Sequence, residues 1–211
     1  MSRVAELQVL FCGVGGQGVL RAAELFGRAL FAAGKRVNIG QLHGMSQRGG
    51  SVSSFVIVGA AEAALLEGAP DVVVALEPIE AARAASAFGP RTVVLVNIAT
   101  VVPYERTRAG QGYPSIDELL GRVAVRAGRV LTADLSGALT PLGLARAVGV
   151  AMLGALTRQA PFVALGVSAD ALVAALAGNA EAQRAFALGA ETTFHEWNSS
   201  QGTRDGLQAR H

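Results

Sequence analysis

LQVLFCGVGGQG, residues 7–18, is an apolar run that passes directly into a glycine-rich turn. Residues 7–12 have the continuous apolar character of a buried strand. In residues 19–33 the apolar side chains recur at helical spacing, which predicts a helix that Gly34 ends. A strand, a glycine turn and a helix in this order are typical of α/β folds, where ligands bind at the carboxyl ends of the strands.

The rest of the chain continues to alternate between strand and helix patterns. Strands are predicted at residues 37–41, 51–58, 72–76, 92–96 and 129–135, and helices at residues 79–88, after Ser115, and at 140–156, 169–176 and 180–194. We expect one α/β domain over residues 1–198, with a three-layer, mostly parallel or mixed central sheet, helices on both faces and a helical C-terminal part. Residues 100–114 are predicted to leave the sheet, and residues 199–211 to form a disordered tail.

Four predicted helix starts carry capping signals. Ser115 with Glu118 predicts a capping box, and Thr140 before a proline predicts the start of the helix that follows. Ser168 and Asn179 are predicted as N-caps of the last two helices. Their side-chain oxygens would accept hydrogen bonds from backbone N–H groups of the first turn.

The composition of the chain limits which classes of function are open to it. Of 211 residues, 51% are hydrophobic and 16% are charged, which is enough to fill a large core and still leave apolar residues on the surface. Such a surface favours a subunit contact. The alternative is that the many alanines raise the hydropathy without creating an apolar patch. The net charge is +2 without a basic cluster, which argues against a nucleic acid partner. No apolar run approaches the roughly 18 residues of a membrane span, and residues 1–6 lack the layout of a signal peptide. We therefore expect a cytoplasmic protein with no membrane partner.

The chain has a single cysteine, Cys12, which excludes an internal disulfide and an all-cysteine iron–sulfur site. At the end of a predicted strand, this thiol is expected to be buried and unreactive. No cluster of His, Cys, Asp and Glu has metal-ligand spacing, and no nucleophile stands beside a base. The sequence therefore predicts no metal site and no catalytic residue in this chain.

The glycine turn matches the spacing G-x-G-x-x-G through Gly13, Gly15 and Gly18, with Gly16 and Gln17 between the last two. Such a turn lets a ligand approach the backbone, and the helix after it offers free N–H groups to an anion. An NAD site also needs an acidic residue near the end of the second strand, and the segment NIGQ found there holds no carboxylate. Three roles of the turn stay open: it binds a phosphate of another ligand, it contacts a partner chain, or its glycines serve only the tight packing of strand and helix.

A second polar segment, HGMSQRGGS, begins at His43 and ends at Ser51. Arg48 has the planar guanidinium that suits a carboxylate or phosphate, and Gly49 and Gly50 let the backbone bend sharply beside it. His43 is a candidate for proton transfer, although a single histidine in a loop more commonly has a structural role and holds the loop through hydrogen bonds. Both segments follow predicted strands, so their residues are candidates for ligand binding at the sheet edge.

With their surroundings, the two segments resemble a known family. GVGGQGVL at residues 13–20 and HGMSQRGGSVSS at residues 43–54 are similar to the gamma-type subunit of 2-oxoacid:ferredoxin oxidoreductases, and the His-Gly-Met at 43–45 is similar to its indolepyruvate group. Gly149 and Ala182 replace asparagines of the family's pattern, in the helical part where we expect partner contacts. The likeness continues, to about residue 191, through Glu77-Pro78, Asn97, Tyr113-Pro114, residues 152–156 and residues 184–189.

The resemblance implies a non-autonomous subunit of a thiamine-dependent enzyme. It implies that thiamine diphosphate, magnesium and iron–sulfur clusters reside on a large partner subunit, and that this chain binds no cofactor tightly. The implied reaction is oxidative decarboxylation of an aryl 2-oxoacid such as indolepyruvate to an acyl-coenzyme A, with ferredoxin as electron acceptor. This chain would cover the active site and help bind coenzyme A, with residues 15–18 holding a phosphate and Arg48 a second anionic group. Self-association of the isolated chain stays open.

Two other functions stay open from the residues alone. One is a free-standing nucleotide- or flavin-binding oxidoreductase domain, which the missing ribose-binding acid disfavours. The other is a purely structural partner whose glycine segments only pack against the large subunit.

Overall fold

A seven-stranded sheet runs through the part of the chain that the structure, a computed structural model, describes. The described residues are 6–41, 50–59, 68–101 and 112–198, with the backbone of residues 42 and 43, so the predicted tail lies outside them. Across the sheet the strands lie in the order β2-β3-β1-β4-β5-β6-β7. Their bounds are β1 (Leu7–Val14), β2 (Val37–His43), β3 (Ser51–Val58), β4 (Val72–Ala75), β5 (Val93–Asn97), β6 (Arg129–Ala133) and β7 (His195–Glu196).

The sheet is mixed. β1, β4, β5 and β6 pair in parallel, whereas β3 is antiparallel to both β1 and β2, and β7 is antiparallel to β6. The expected α/β class is confirmed in its mixed form. Because β3 runs against β1, its first residue, Ser51, lies opposite Val14 at the carboxyl end of β1. The hairpin of β2 and β3 thereby brings the second glycine segment to the same sheet edge as the first.

The helices cover both faces of the sheet. α1 and the C-terminal helices α5–α8 share one hydrophobic core, and α2 and α3 share the other. The three layers and the helical C-terminal part are thus confirmed. The bounds are α1 (Val19–Ala32), α2 (Pro78–Ala84), α3 (Ile116–Ala124), α4 (Leu135–Leu139), α5 (Val148–Leu156), α6 (Ala160–Val163), α7 (Ala169–Ala175) and α8 (Ala180–Glu191), with 3-10 turns at Ala85–Ala87, Thr140–Leu142 and Ala145–Ala147.

β1 is buried on both faces, because successive side chains of a strand point to opposite sides of the sheet. The ring of Phe11 belongs to the core beneath α1, with its centroid 5.8 Å from that of Phe26, which lies 6.1 Å from that of Phe162. Leu10 and Cys12 belong to the opposite core, with α2 and α3. A continuous apolar run was therefore the correct signal for a central strand.

α7 and α8 begin after the N-cap residues that the sequence predicted. Asn179 Oδ1 accepts a hydrogen bond from Ala182 N–H at 2.9 Å, and Ser168 Oγ accepts one from Asp170 N–H at 3.1 Å. Each bond satisfies an N–H group that a helix start otherwise leaves free. α8 ends at Glu191, somewhat earlier than predicted.

The predicted capping box before α3 is wrong. Ser115 occupies the N-cap position, but its side chain makes no cap hydrogen bond. Glu118 instead forms a salt bridge with Arg122, one turn along the exposed face, at a nitrogen–oxygen distance of 2.6 Å. Because it is paired with Arg122, the Glu118 carboxylate does not bond the N-cap backbone as a capping box requires.

The helix predicted to start at Thr140 is also wrong in its first part. A short helix, α4, begins earlier, because the carboxylate of Asp134 accepts a hydrogen bond from Gly137 N–H at 2.7 Å. Thr140 lies after that helix, where its hydroxyl donates to the Ser136 carbonyl at 2.7 Å. Gly143 then adopts a left-handed φ of 73°, which separates this region from α5.

α5 and α8 approach each other closely enough for their backbones to touch. A Cβ atom at Gly154 would lie 2.1 Å from the Phe186 carbonyl oxygen, and one at Gly189 would lie 1.8 Å from the Ala151 carbonyl oxygen. No side chain fits at such distances unless the backbone shifts. The two helices are therefore packed against each other through glycine.

We predict that Gly189→Ala destabilises the domain by about 1–3 kcal/mol, the usual range for overpacking, because the methyl group meets backbone rather than a movable side chain. Gly121→Ala in α3 is the matched control, since the nearest atom to its Cβ would be 3.7 Å away, in the Trp197 ring. Alanine there should stabilise by roughly 0.5–1 kcal/mol, because it restricts the unfolded chain. Urea unfolding measures both changes, and equal free energies of unfolding for the two variants would contradict this packing.

Candidate functional site

The two glycine segments meet at the carboxyl edge of the sheet. Gly15 N–H donates to the carbonyl of Gly50 at 2.8 Å, so the turn after β1 is bonded to the residue before β3. Gly16 and Gly18 have left-handed φ angles of 101° and 85°, which glycine adopts without strain. Gly18 is the N-cap of α1, and no described side chain caps that helix. The N–H groups of its first turn are therefore available to an anion.

Gln17 holds the first turn in shape. Its Oε1 accepts a hydrogen bond from Val14 N–H at 2.7 Å, and its Nε2 donates to the Leu76 carbonyl at 3.2 Å. A Cβ atom at Gly13 would lie 2.9 Å from Gln17 Oε1, so the glycine makes room for this side chain. The sequence predicted ligand contact for Gly13 and Gln17, and that contact stays a prediction beside the roles they have within the turn.

Asn97 connects the end of β5 to the same carbonyl. Its Nδ2 donates to the Leu76 carbonyl at 3.1 Å and to Ser136 Oγ at 3.0 Å. Its Oδ1 accepts hydrogen bonds from the N–H groups of Leu135 and Ser136 at 3.0 and 3.2 Å. The side chain thus fixes the start of α4 against the end of β4, a role that the sequence did not indicate.

Of the second segment, the structure describes the two ends. His43 is the last residue of β2, Gly50 is buried, and Ser51 is the first residue of β3. Arg48 and Gly49 lie outside the described residues, as does the side chain of His43. The ligand-binding roles predicted for these residues stay predictions.

A buried carboxylate anchors the exit of the second segment to α2. Ser51 Oγ donates to Glu80 Oε2 at 2.5 Å, and Arg83 Nη1 donates to Glu80 Oε1 at 2.6 Å. Glu80 is only 1% exposed, and a buried charge needs such partners to offset its lost hydration. Sequence reasoning missed Glu80, because an acidic residue in the first turn of a helix ordinarily indicates an exposed position.

A second buried carboxylate, Glu77, is the N-cap of α2. It accepts hydrogen bonds from the N–H groups of Glu80 at 3.1 Å and Val101 at 3.4 Å, and from the Tyr113 hydroxyl. Burial raises the pKa of Glu77 above its usual value, and these hydrogen bonds partly offset that effect. The signal that could have found this residue is Pro78, because proline at a first helical position marks the residue before it as the N-cap.

Cys12 is buried, as predicted. Burial raises the pKa of its thiol, and the charges of Glu80 and Glu77 raise it further, so the reactive thiolate is suppressed. Within the described ranges, no group of three or more His, Cys, Asp or Glu residues is placed to hold a metal ion. None of the helices described there combines the length and the apolar character needed to cross a membrane.

An apolar groove of about 530 Å³ lies between α1, β2 and α7. On its walls, Phe31 is 73% exposed and Ile39 is 41% exposed. β2 is an edge strand of the described sheet and carries no Lys, Arg, Asp or Glu, residues that commonly protect such edges. The groove holds part of the apolar surface that the described residues expose, and its use as the subunit contact that the composition suggested stays a prediction.

A cavity of about 320 Å³ opens beside the first glycine turn, between the starts of α1, α5 and α8. Its lining includes Gly18, Arg21 and Arg146. Gly149 and Ala182, the two departures from the family's asparagine pattern, also line it. The structure places these positions beside the glycine turn, because α5 and α8 both begin there. Their association with partner contacts stays a prediction.

The fold and this edge define a class of protein: a three-layer α/β domain that presents two joined glycine segments at the carboxyl edge of its sheet, the edge where such folds bind ligands. Comparison with known proteins narrows the class. The family described as pyruvate ferredoxin/flavodoxin oxidoreductase matches residues 8–191. The chain belongs to that family, which confirms the resemblance found in the sequence.

Three related proteins illustrate the match. Indolepyruvate oxidoreductase subunit IorB of Archaeoglobus fulgidus is 37% identical over 152 residues, which cover 72% of this chain and 76% of the relative. The gamma subunit of keto/oxoacid ferredoxin oxidoreductase from Geobacter sulfurreducens has a TM-score of 0.59 at 20% identity, with 87% of this chain and 95% of that chain covered. The 2-oxoglutarate:ferredoxin oxidoreductase from Magnetococcus marinus, solved with 2-oxoglutarate, coenzyme A and succinyl-CoA bound, has a TM-score of 0.65 at 18% identity, with 87% of this chain and 30% of that chain covered. At these identities the two structures support the fold alone.

We predict that the buried Glu77 carboxylate makes stability depend on pH. Because its folded-state pKa is raised, folding favours the protonated form, and the wild type should lose stability as the pH rises from the ordinary glutamate pKa through the raised one. Glu77→Gln cannot ionise and should lack this slope. Urea unfolding at pH values between about 4 and 8 measures it, with Glu24→Gln at an exposed position of α1 as the control. The same pH dependence in wild type and Glu77→Gln would contradict the prediction.

Proposed function

We propose that this chain is the small, non-autonomous subunit of a thiamine-dependent 2-oxoacid:ferredoxin oxidoreductase of the indolepyruvate type. The observation that carries the proposal is the 37% identity to a relative named as an indolepyruvate oxidoreductase subunit. The family match over residues 8–191 supports it independently. The chain accordingly acts with a larger partner subunit rather than as a complete enzyme.

In the proposed reaction, an aryl 2-oxoacid such as indolepyruvate loses carbon dioxide and its acyl carbon forms a thioester with coenzyme A. The two electrons released reduce two molecules of ferredoxin, and one proton is set free. Thiamine diphosphate with magnesium supplies the decarboxylation chemistry, and iron–sulfur clusters carry the electrons. The clusters belong to the large partner, because a chain with one cysteine cannot supply the thiolates of a cysteine-ligated cluster. The family resemblance implies that thiamine diphosphate and magnesium also belong to that partner.

This chain contributes the edge built from its two glycine segments. The left-handed glycines of the first turn and the free N–H groups of α1 favour a phosphate of coenzyme A at that position. The bond between Gly15 and Gly50 holds the end of the second segment beside the first turn. To Arg48, which belongs to that segment, we assign a second anionic group of the coenzyme. No residue of this chain is assigned a catalytic role.

The sheet order argues against a free-standing dinucleotide-binding domain. In that fold a parallel second strand lies beside the first and leads to the acidic residue that binds the ribose. Here the strand in that position is β3, which is antiparallel to β1 and forms a hairpin with β2. A purely structural subunit is the competing function, and the Arg48 substitution described below separates it from a ligand-binding role.

We expect the isolated chain to have no oxidoreductase activity and to bind no iron, because its sequence offers one cysteine and no acid–base constellation. Purified together with its large subunit, it should support 2-oxoacid- and coenzyme A-dependent reduction of a redox dye. The large subunit alone is the control. Turnover by the isolated chain, free of partner, or an assembled complex that oxidises no 2-oxoacid, would show the proposal to be wrong.

We predict that Arg48→Ala in the assembled complex weakens coenzyme A binding about ten- to a hundredfold without unfolding the subunit, because a charge-assisted hydrogen bond is lost. Arg48→Lys keeps the charge but not the planar fork and should be intermediate. Steady-state kinetics and thermal melting measure both effects. Unchanged kinetics with a lowered melting temperature would instead assign Arg48 to the internal scaffold of its loop.

A further inference from the structure

β2 presents an unpaired backbone edge on the outer side of the sheet. The Arg36 carbonyl accepts a hydrogen bond from Gly59 N–H at 2.9 Å, where β2 and β3 begin to pair. In an antiparallel pair, successive residues alternate between bonding the neighbouring strand and pointing away from it. The N–H and C=O groups of Val37, Ile39 and Gln41 therefore point outward, and the described residues place no strand on that side. β2 also contains no Lys, Arg, Asp, Glu or Pro to prevent another strand from pairing there.

The side chains on this edge belong to the apolar groove between α1, β2 and α7. A Cβ atom at Gly27 of α1 would lie 2.5 Å from Ile39 Cδ1 and 3.3 Å from Val37 Cγ1, so both side chains lie against α1. The exposed ring of Phe31 lines the same groove. A chain that pairs with the outer edge of β2 would therefore also cover the groove. Backbone hydrogen bonds and apolar contact would form together, as they do when a strand is added to a sheet.

α1 carries opposite charges one helical turn apart beside the groove. Glu24 and Arg28 are both exposed, and neither forms an ion pair with another described residue. Gly27 lies between them in sequence and against Ile39, so a two-fold axis through Ile39 would bring Glu24 of each copy near the level of Arg28 of the other. Exposed pairs of this kind add little affinity and mainly select the orientation of a partner. The surface is thus complementary in charge to a second copy of itself.

We infer that β2 and the apolar groove form a two-fold interface between two copies of this chain. The two β2 strands pair antiparallel, with Ile39 opposite Ile39 of the second copy and Val37 opposite its Gln41. An antiparallel strand pair is two-fold symmetric, so one edge serves both copies, as an interface between identical chains requires. The two sheets then continue into each other, and Phe31 of each copy packs at the interface. This inference does not depend on the proposed function.

Sedimentation equilibrium of the full chain over a series of dilutions measures the interface. Wild type should reach twice the monomer mass as its concentration rises. Ile39→Lys puts a charge into the paired edge and Phe31→Ser removes apolar contact, so each should raise the dissociation constant of the dimer at least about tenfold. Val125→Lys is the matched control, because Val125 is an exposed valine at the end of α3, on the opposite side of the sheet, and should leave the constant unchanged. Thermal melting checks that each variant is folded.

A disulfide between two copies tests the strand pairing directly. Cys12 is buried and is the chain's one cysteine, so a thiol introduced at the surface reacts without competition. Directly opposite, hydrogen-bonded residues of an antiparallel pair have Cα atoms about 5.5 Å apart, within the range of a disulfide. Mild oxidation of the Ile39→Cys variant should therefore give a covalent dimer much faster than oxidation of Val125→Cys.

Three results would overturn the inference: wild type that stays monomeric at every concentration, equal dissociation constants for Ile39→Lys and Val125→Lys, and equal rates of crosslinking for the two cysteine variants. The large partner subunit is the other candidate occupant of this surface. If that subunit dissociates the dimer when it binds, and Ile39→Lys prevents its binding, the surface belongs to the large subunit and the inference is wrong. An Ile39→Cys disulfide that forms equally well in the assembled complex supports the inference.

Discussion

The carbonyl of Leu76 holds together the edge on which the candidate site depends. It accepts side-chain hydrogen bonds from Gln17, in the first glycine turn, and from Asn97, at the end of β5. Because β1, β4 and β5 are parallel, their carboxyl ends lie side by side, and this one acceptor joins all three. The bond between Gly15 and Gly50 extends the connection to β3. Groups from four strands are thereby held at fixed positions along one edge.

The sequence predicted those parts of the fold whose causes are local. The apolar run before the first glycine turn and the cap at Asn179 depend on neighbouring residues, and both are confirmed. Thr140 was wrongly predicted as a helix start, because a helix already begins before it, where the carboxylate of Asp134 caps the first turn. The direction of β3 could not be predicted, because a β-branched run looks the same in a parallel and an antiparallel strand.

The site was predictable only in its glycine segments. Glu77 and Glu80 were missed because the burial of a carboxylate depends on partners distant in sequence, such as Tyr113 and Ser51. The cavity was missed for a similar reason: its walls come from three helix starts that the chain reaches at widely separated positions. Spacing rules describe single loops, whereas a cavity is a property of packing.

The glycine contact between α5 and α8 has a consequence for the cavity at the starts of these helices. With the backbones touching at Gly154 and Gly189, a tilt of either helix would displace the other, so the two walls that they form are packed as one unit. A ligand that enters a preorganised cavity pays little conformational entropy for ordering it. A looser helix pair would therefore weaken the binding of any ligand in this cavity without the loss of a single contact to that ligand.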